Sequence, residues 1–207
     1  MSFPFISINN PLILASASPR RKELLQQVKI PFRITQSDID ENNEKGKPRS
    51  ICVTLAEKKA LSVYNSSAKG WILGADTIVV KDNLIMGKPQ DANEVASMLE
   101  QLGGGDHEVI TGYSIINPHG DIAISGHVAT TVTFKRLTPK EINGYIKTGE
   151  PFGKAGAYAI QELGAFMITG INGSYSNVVG LPLFEVIDSL VKVKALEGFP
   201  LPEIASK

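Results

Sequence analysis

The sequence has a single cysteine, no excess of charge of either sign and no long apolar run. Its 207 residues contain 21 Lys+Arg, 21 Asp+Glu and only Cys52 as a thiol. One cysteine excludes a disulfide-stapled secreted domain, and the balanced charge argues against a nucleic-acid partner, which calls for a basic surface. No run of 18 apolar residues predicts a membrane span, and Pro4 and Ser7 interrupt any signal-peptide core. We therefore expect a cytoplasmic protein with no membrane partner and an inert, reduced Cys52.

Apolar stretches of strand and helix type alternate along the chain, which predicts the α/β class with antiparallel pieces inserted. The pattern predicts strands at 11–15, 32–34, 71–80, 84–86, 107–117 and 122–134, and helices at 18–29, 51–64, 91–102, 138–147 and 182–194. The glycine-rich segment 149–180 is expected to hold mixed apolar strands, and 198–207 an extended appendage. The length favours one domain over 1–207, or two lobes around one cleft.

Two arginines occupy the first turn of the helix predicted after Ser18. A helix N-terminus carries partial positive charge, so a cation there costs about 0.3–1 kcal/mol. Arg20 and Arg21 make sense there if an anion binds to them and to the free backbone N–H groups, because the guanidinium fork matches phosphate oxygens. The hydroxyls of Ser16 and Ser18 add donors. The alternative is that the arginine heads reach solvent or a nearby carboxylate, and this segment alone leaves both interpretations open.

Asp76 interrupts the apolar run 71–80, which is typical of a strand buried on both faces. A buried carboxylate is costly unless it is paired, hydrogen-bonded or bound to a metal. Mg²⁺ prefers carboxylates together with phosphate oxygens and water, and the acidic segment 38–44 offers a second ligand without indicating which residue. We favour a functional Asp76, the alternative being a strand-end carboxylate satisfied by nearby N–H groups or an arginine.

Three lysines occupy apolar or constrained positions. Lys59 falls on the apolar line of the helix predicted at 51–64, while Lys88 and Lys154 are flanked by glycine or proline. A single lysine is more often a surface residue whose stem covers apolar atoms. Together with the arginine pair, however, the three lysines predict a local polyphosphate site in a protein whose total charge is neutral.

A series of short motifs resembles, in order, those of the Maf nucleotide pyrophosphatases. Each motif is modest alone, but the set runs from about residue 11 to 195, nearly the whole chain. The motifs are Leu14-Ala-Ser-Ala-Ser-Pro-Arg-Arg21, Asp38-Ile-Asp-Glu41, Leu55-Ala-x-x-Lys-Ala60, Gly74-Ala-Asp-Thr77, Gly87-Lys-Pro89, Lys154-Ala-Gly-Ala-Tyr-Ala-Ile-Gln161, and Asn172-Gly-Ser-Tyr followed by Val178-Val-Gly-Leu-Pro-Leu183.

The resemblance implies hydrolysis of a nucleoside triphosphate between its α- and β-phosphates. It also implies an elongated mixed β-sheet flanked by helices, with two lobes around a central cleft as in inosine triphosphatase-like enzymes, and a homodimer. Carried over position by position, the family's functional residues are Ser16, Arg20, Arg21, Glu41, Lys59, Asp76, Lys88 and Gln161. Glu41 and Asp76 would hold Mg²⁺ or Mn²⁺, and whether Asp76 is first a ligand or the base for the attacking water stays open.

Three positions distinguish between two branches of this family. The branch for 7-methylguanosine triphosphate has Trp for the first arginine, Asp-Gln at the end of the Gly-Ala-Asp-Thr motif and an acidic residue at the position of Gln161. Arg20, Thr77 and Gln161 resemble instead the pyrimidine branch, which acts on dTTP and UTP, with CTP and modified pyrimidine nucleotides as further candidates. A Gln amide is suited to the carbonyl and imide edge of a pyrimidine.

A nucleotide-binding regulator and a nucleic-acid binder are the two alternatives to an enzyme. The family is also associated with septum formation and cell division, so the alternative is a nucleotide-binding regulator with little turnover. The carboxylates of Glu41 and Asp76 argue against it, because a pure binder needs no group to activate water. A nucleic-acid binder using Arg20 and Arg21 is disfavoured, since no basic stripe with interleaved aromatics is present.

Overall fold

The computed structural model of the chain describes residues 3–41, 44–66 and 69–201, so positions 202–207 of the predicted appendage lie outside the described residues. The helices are α1 (Pro19–Gln27), α2 (Pro48–Asn65), α3 (Ala92–Leu102), α4 (Pro139–Lys147), α5 (Tyr175–Val179) and α6 (Leu183–Lys192). The strands are β1 (Leu12–Leu14), β2 (Phe32–Ile34), β3 (Ile72–Lys81), β4 (Leu84–Met86), β5 (Asp106–Ile116), β6 (Ile122–Phe134) and β7 (Ile168–Asn172).

The described strands form one mixed sheet in the order β2-β1-β3-β5-β6-β7, with β4 paired to β3. β1 runs parallel to both of its neighbours, so that Ile13 lies opposite Arg33 on one side and Ile72 on the other. β4 and β7 pair antiparallel with β3 and β6, respectively. The predicted α/β class, a mixed sheet flanked by helices, is confirmed.

Capping residues and prolines set the starts of three helices. Ser18 Oγ accepts from the backbone N–H of Arg21, with Pro19 in the first turn of α1. α4, which begins as predicted near residue 138, opens with a capping box between Thr138 and Glu141. α2 begins at Pro48, earlier than the predicted residue 51, because the fixed φ of proline suits the first turn of a helix.

The expectation of mixed apolar strands over 149–180 is wrong for most of that segment. It contains short 3₁₀ helices at Ala155–Ala157 and Leu163–Met167, then β7 and α5. Gly153, Gly156 and Ala157 have φ values of 72°, 67° and 61°. Left-handed backbone of this kind ends an extended strand, so the glycines mark turns here.

The chain divides into two compact units. Unit 1 comprises residues up to Asp76, 111–127 and from Gly180 onward; unit 2 comprises 77–110 and 128–179. A buried cluster of unit 1 consists of Ile13, Ala15, Ala60, Val63, Ile72 and Ile116. In unit 2, the rings of His107, Phe134 and Tyr158 meet edge to face within a larger apolar cluster. No helix among the described residues combines the length and apolar character needed to cross a membrane.

Two glycines let α2 lie directly against the strands of unit 1. A Cβ on Gly74 would lie 2.1 Å from the carbonyl oxygen of Ala56, and one on Gly112 would lie 2.4 Å from that of Cys52. Any side chain larger than hydrogen would therefore push α2 away. Because side chains alternate along a strand, Gly74 and Asp76 face the same side of β3. The close approach at Gly74 thus brings α2 beside Asp76.

Candidate active site

The turn between β1 and α1 is organised around Ser16 in unit 1. Ser16 Oγ accepts hydrogen bonds from the backbone N–H of Ser18 at 3.2 Å and from Arg21 Nη1 at 3.0 Å. Arg21 Nε donates to the carbonyl oxygen of Gly180 at 2.8 Å. Arg21 is only 8% exposed, so its guanidinium is held in one orientation rather than reaching into solvent.

Several charges surround Arg21. Burial lowers the pKa of its guanidinium, the charges of Asp76 and Glu41 oppose that change, and the neighbouring charge of Arg20 reinforces it. An arginine keeps its proton throughout the ordinary pH range. Arg21 therefore places a fixed positive charge within electrostatic reach of two carboxylates, and the half-buried Arg20 adds another in the same helical turn.

Lys59 joins those two carboxylates. Its Nζ lies 2.6 Å from Asp76 Oδ1 and 2.8 Å from Glu41 Oε1. The side chains of Lys59 and Asp76 are 7% and 10% exposed, whereas that of Glu41 is 39% exposed. The cluster is thus buried where it lies on α2 and β3 and open to solvent at Glu41. A ligand can therefore approach the carboxylates from the Glu41 side.

The acidic segment before α2 separates into different contacts. Glu41 pairs with Lys59, while Glu44 pairs with the outward-facing Lys58. Asp38 contributes its backbone carbonyl, which accepts from Ser62 Oγ at 3.4 Å. Of the three, Glu41 is the one whose carboxylate shares Lys59 with Asp76.

The donor set of Glu41 and Asp76 fits a hard divalent cation. Both carboxylates contact the same ammonium group, so they lie close enough together for one small cation to bind oxygens of both beside Lys59. The described residues contain no group of three or more His, Cys, Asp or Glu side chains suited to a metal. Mg²⁺ commonly takes one or two carboxylates and completes its coordination with water and substrate phosphates, which is the arrangement that two carboxylates allow.

The other predicted site residues belong to unit 2. Thr77 is half-buried on β3, and Lys88 lies in an exposed loop after β4. The carbonyl oxygen of Gly87 accepts from Gly156 N–H at 3.1 Å, which joins the Lys88 loop to the segment leading to Gln161. The Gln161 side-chain oxygen Oε1 is buried and has no hydrogen-bond partner among the described residues.

A family model described as Maf-like protein matches residues 11–193. The chain belongs to this Maf-like family. A protein named dTTP/UTP pyrophosphatase from Syntrophotalea carbinolica is 49% identical over 91% of this chain and 87% of its own length. Proteins of the same name from Ruminiclostridium cellulolyticum and Clostridioides difficile are 48% and 43% identical, over 88% and 91% of this chain and 95% and 97% of their own.

Lys154 and Cys52 of this Maf-like protein both have structural surroundings that explain them without a role in the site. Lys154 donates from its ammonium to the carbonyl oxygen of Glu150 and lies 3.6 Å from Glu162 Oε2, which ties it to its own loop. Cys52 is fully buried, and burial raises the pKa of its thiol to about 12. The thiol therefore stays protonated at neutral pH, which agrees with the predicted inert core residue.

Reasoning from the sequence missed one contributor to the site. The carbonyl oxygen of Gly180 fixes Arg21 from a distant part of the chain. Gly180 lies in the motif Val178-Val-Gly-Leu-Pro-Leu183, but a backbone carbonyl has no side-chain signature, so the motif assigned no role to it. The glycine takes φ 126°, a conformation that side chains disfavour.

Proposed function

We propose that this Maf-like protein is a nucleoside triphosphate pyrophosphatase that hydrolyses dTTP and UTP, and that it serves to clear such nucleotides from the pool. CTP and modified pyrimidine nucleotides are further candidate substrates. The observation that carries the proposal is the buried Lys59 joined to Asp76 and Glu41 beside Arg21, in a chain whose relatives bear the name dTTP/UTP pyrophosphatase. The products are the nucleoside monophosphate and pyrophosphate.

Arg20, Arg21 and the N-terminal turn of α1 bind the phosphates in this proposal. The partial positive charge at a helix N-terminus favours an anion. Arg21 is oriented beforehand by Ser16 and Gly180, so little conformational entropy is lost when it binds. The Ser16 hydroxyl, which accepts in both of its hydrogen bonds, keeps its own proton to donate to a phosphate oxygen.

Asp76 orients the attacking water and accepts its proton as the water oxygen bonds to the α-phosphorus. The bond from that phosphorus to the oxygen bridging to the β-phosphate breaks, and pyrophosphate leaves with the bonding electrons. Lys59 and Lys88 offset the negative charge that grows on the α-phosphate and the leaving group. Lys59 also lies 2.6 Å from Asp76 Oδ1, which holds the carboxylate in one orientation.

A divalent cation, Mg²⁺ or Mn²⁺, held by Glu41 and Asp76 would polarise the phosphoryl oxygens and favour ionisation of the nearby water. The residues fit such an ion because they supply hard oxygen ligands and leave room for water and phosphate.

Thr77 and Gln161 select the base. The buried Oε1 of Gln161 has no partner among the described residues, and a buried acceptor without a donor costs free energy. The imide N–H of thymine or uracil supplies such a donor, while the Gln161 amide N–H groups match the adjacent carbonyl.

The test is pyrophosphate release from dTTP, UTP, CTP, GTP, ATP and 7-methylguanosine triphosphate with Mg²⁺ or Mn²⁺. We expect fast turnover of dTTP and UTP by the wild-type protein and none by Asp76→Asn. The matched control is Asp82→Asn, which makes the same chemical change at an exposed turn residue. Nucleotide binding without turnover of any triphosphate would instead favour the alternative, a nucleotide-binding regulator of cell division and septum formation.

A further inference from the structure

Gln161 lies on a loop of unit 2 that closes on itself. A Cβ on Gly164 would lie 2.7 Å from the carbonyl oxygen of Ala159 and 2.9 Å from the Tyr145 hydroxyl oxygen. The loop from Ala159 to Gly164 therefore returns to its own start, and position 164 has no space for a side chain. Gln161 occupies the bend between these two ends.

Glu150 holds one end of this loop. Its carboxylate accepts from the backbone N–H groups of Leu163 and Gly164, both at 2.9 Å, through Oε2 and Oε1, respectively. Two backbone donors that a tight loop would otherwise leave without partners are satisfied by one side chain. A charged acceptor makes such bonds stronger than a neutral one does.

Tyr145 connects Glu150 to the other end of the loop. The Tyr145 hydroxyl donates to Glu150 Oε1 at 2.7 Å, and the backbone of Ala159 hydrogen-bonds to the same hydroxyl. Burial raises the pKa of this phenol, as does the adjacent Glu150 carboxylate, so the hydroxyl keeps the proton that it donates. The Tyr145–Glu150 pair thus contacts the loop on both sides of Gln161.

Lys154 makes a further contact to the loop that carries Gln161. Its ammonium donates to the Glu150 carbonyl oxygen and lies 3.6 Å from Glu162 Oε2, next to Gln161 in the chain. The loop is therefore fixed at Ala159, Glu162, Leu163 and Gly164. None of these contacts involves the Gln161 amide, whose Oε1 remains without a partner among the described residues.

We propose that Glu150, acting with Tyr145, is a positioning residue that fixes the loop from which the Gln161 amide reads the pyrimidine base. The inference rests on the proposed function and deepens it. Glu150 does not contact the nucleotide in this account. It limits the freedom of the Gln161 loop, so that the backbone carrying the amide is already in place when the base arrives and binding costs less entropy.

The experiment measures kcat/KM for dTTP and for dGTP, and takes their ratio as the selectivity. We expect Glu150→Ala to lower this ratio roughly 2- to 10-fold, the effect of losing about one hydrogen bond to the base. Gln161→Ala should lower it by a similar factor. The double variant should be no less selective than Gln161→Ala alone, because positioning has no effect once the positioned amide is absent.

Two milder variants keep the test decisive if Glu150→Ala does not fold. Tyr145→Phe removes only the hydroxyl, and Glu150→Gln keeps one carbonyl acceptor, so both should lose part of the selectivity. The control is Glu141→Ala, which removes the α4 capping box and the Lys135 ion pair in the same unit. It should lower the melting temperature and leave the selectivity ratio unchanged.

The inference is overturned if the Glu150 and Tyr145 variants lose stability as Glu141→Ala does but keep wild-type selectivity. Additive losses in the double variant would also overturn it, as would wild-type selectivity in Gln161→Ala. Failure of the proposed function is separate and appears in the wild-type protein, as the absence of pyrophosphate release from dTTP.

Discussion

The ammonium of Lys59 on α2 lies 2.6 Å from Asp76 Oδ1 on β3, and both side chains are nearly excluded from solvent. Taking two charges out of water is costly, and apolar replacements of similar volume are often neutral or stabilising. Stability alone is therefore a poor explanation for this pair. The catalytic role that we propose for Asp76 explains the pair better, because a carboxylate that accepts a proton from water has to be held in place beforehand.

Lys59→Met should abolish pyrophosphate release and lower the free energy of unfolding by about 3 kcal/mol, because it leaves Asp76 buried without its cation. The double variant Lys59→Met/Asp76→Asn should regain most of that stability without regaining turnover. Urea denaturation and a pyrophosphate assay separate the two effects. Lys58→Met, at the neighbouring exposed lysine, is the control and should change neither quantity much; turnover in Lys59→Met would contradict the assigned role.

Arg20→Ala should raise KM for dTTP and lower kcat together, because contacts to the triphosphate strengthen as charge develops in the transition state. Steady-state kinetics and the melting temperature distinguish this from a structural role. Lys22→Ala makes a comparable change at an exposed position on the same helix and should leave the kinetics unchanged. If Arg20→Ala altered only the melting temperature, Arg20 would have a structural role instead.

Most of the fold was predictable because its local patterns agree with its tertiary environment. The capped start of α1 and the apolar run of β3 have the periodicity of the elements that they form. Residues 149–180 were harder, since the apolar content indicated strands while Gly156 and Ala157 adopt left-handed backbone. Glycine content alone does not reveal which positions take that conformation.

Candidate site residues could be predicted from the sequence where a charged side chain occupies a position that normally disfavours it. Arg20 and Arg21 place cations at a helix start, and Asp76 places a charge in an apolar run, so each is conspicuous. Glu41 and Gln161 lie in irregular segments where polar residues are ordinary. Only the family resemblance pointed to them, because loop conformation decides which polar side chain turns inward.

Glu41→Gln should raise the concentration of Mg²⁺ or Mn²⁺ needed for half-maximal turnover by at least about tenfold, because a neutral amide is a weaker ligand for a hard cation. Excess chelator should stop the wild-type reaction, and added metal should restore it. Glu44→Gln is the matched control in the same segment, where the carboxylate pairs with Lys58. Full turnover in excess chelator would contradict a metal at Glu41 and Asp76.

His107 makes stability depend on pH. It is 3% exposed; Nε2 lies 2.8 Å from the Tyr158 hydroxyl, and Nδ1 has no partner among the described residues. Burial lowers the pKa of His107 from 6.5 to about 4, Lys81 lowers it further and Asp106 opposes the change. Between those values the unfolded chain binds a proton that the folded chain excludes. The free energy of unfolding therefore rises with pH across this window, and on the order of 3 kcal/mol is lost on acidification.

His107→Gln keeps a hydrogen-bonding partner for Tyr158 but cannot bind that proton. Urea denaturation at intervals from pH 4 to 7 should therefore give a shallower pH dependence for this variant than for the wild-type protein. His119→Gln is the control, since it makes the same substitution in the exposed turn after β5, outside the buried cluster of unit 2. Parallel profiles for wild type and His107→Gln would show that another group carries the acid sensitivity, because only a group whose pKa differs between the folded and unfolded states contributes to the slope.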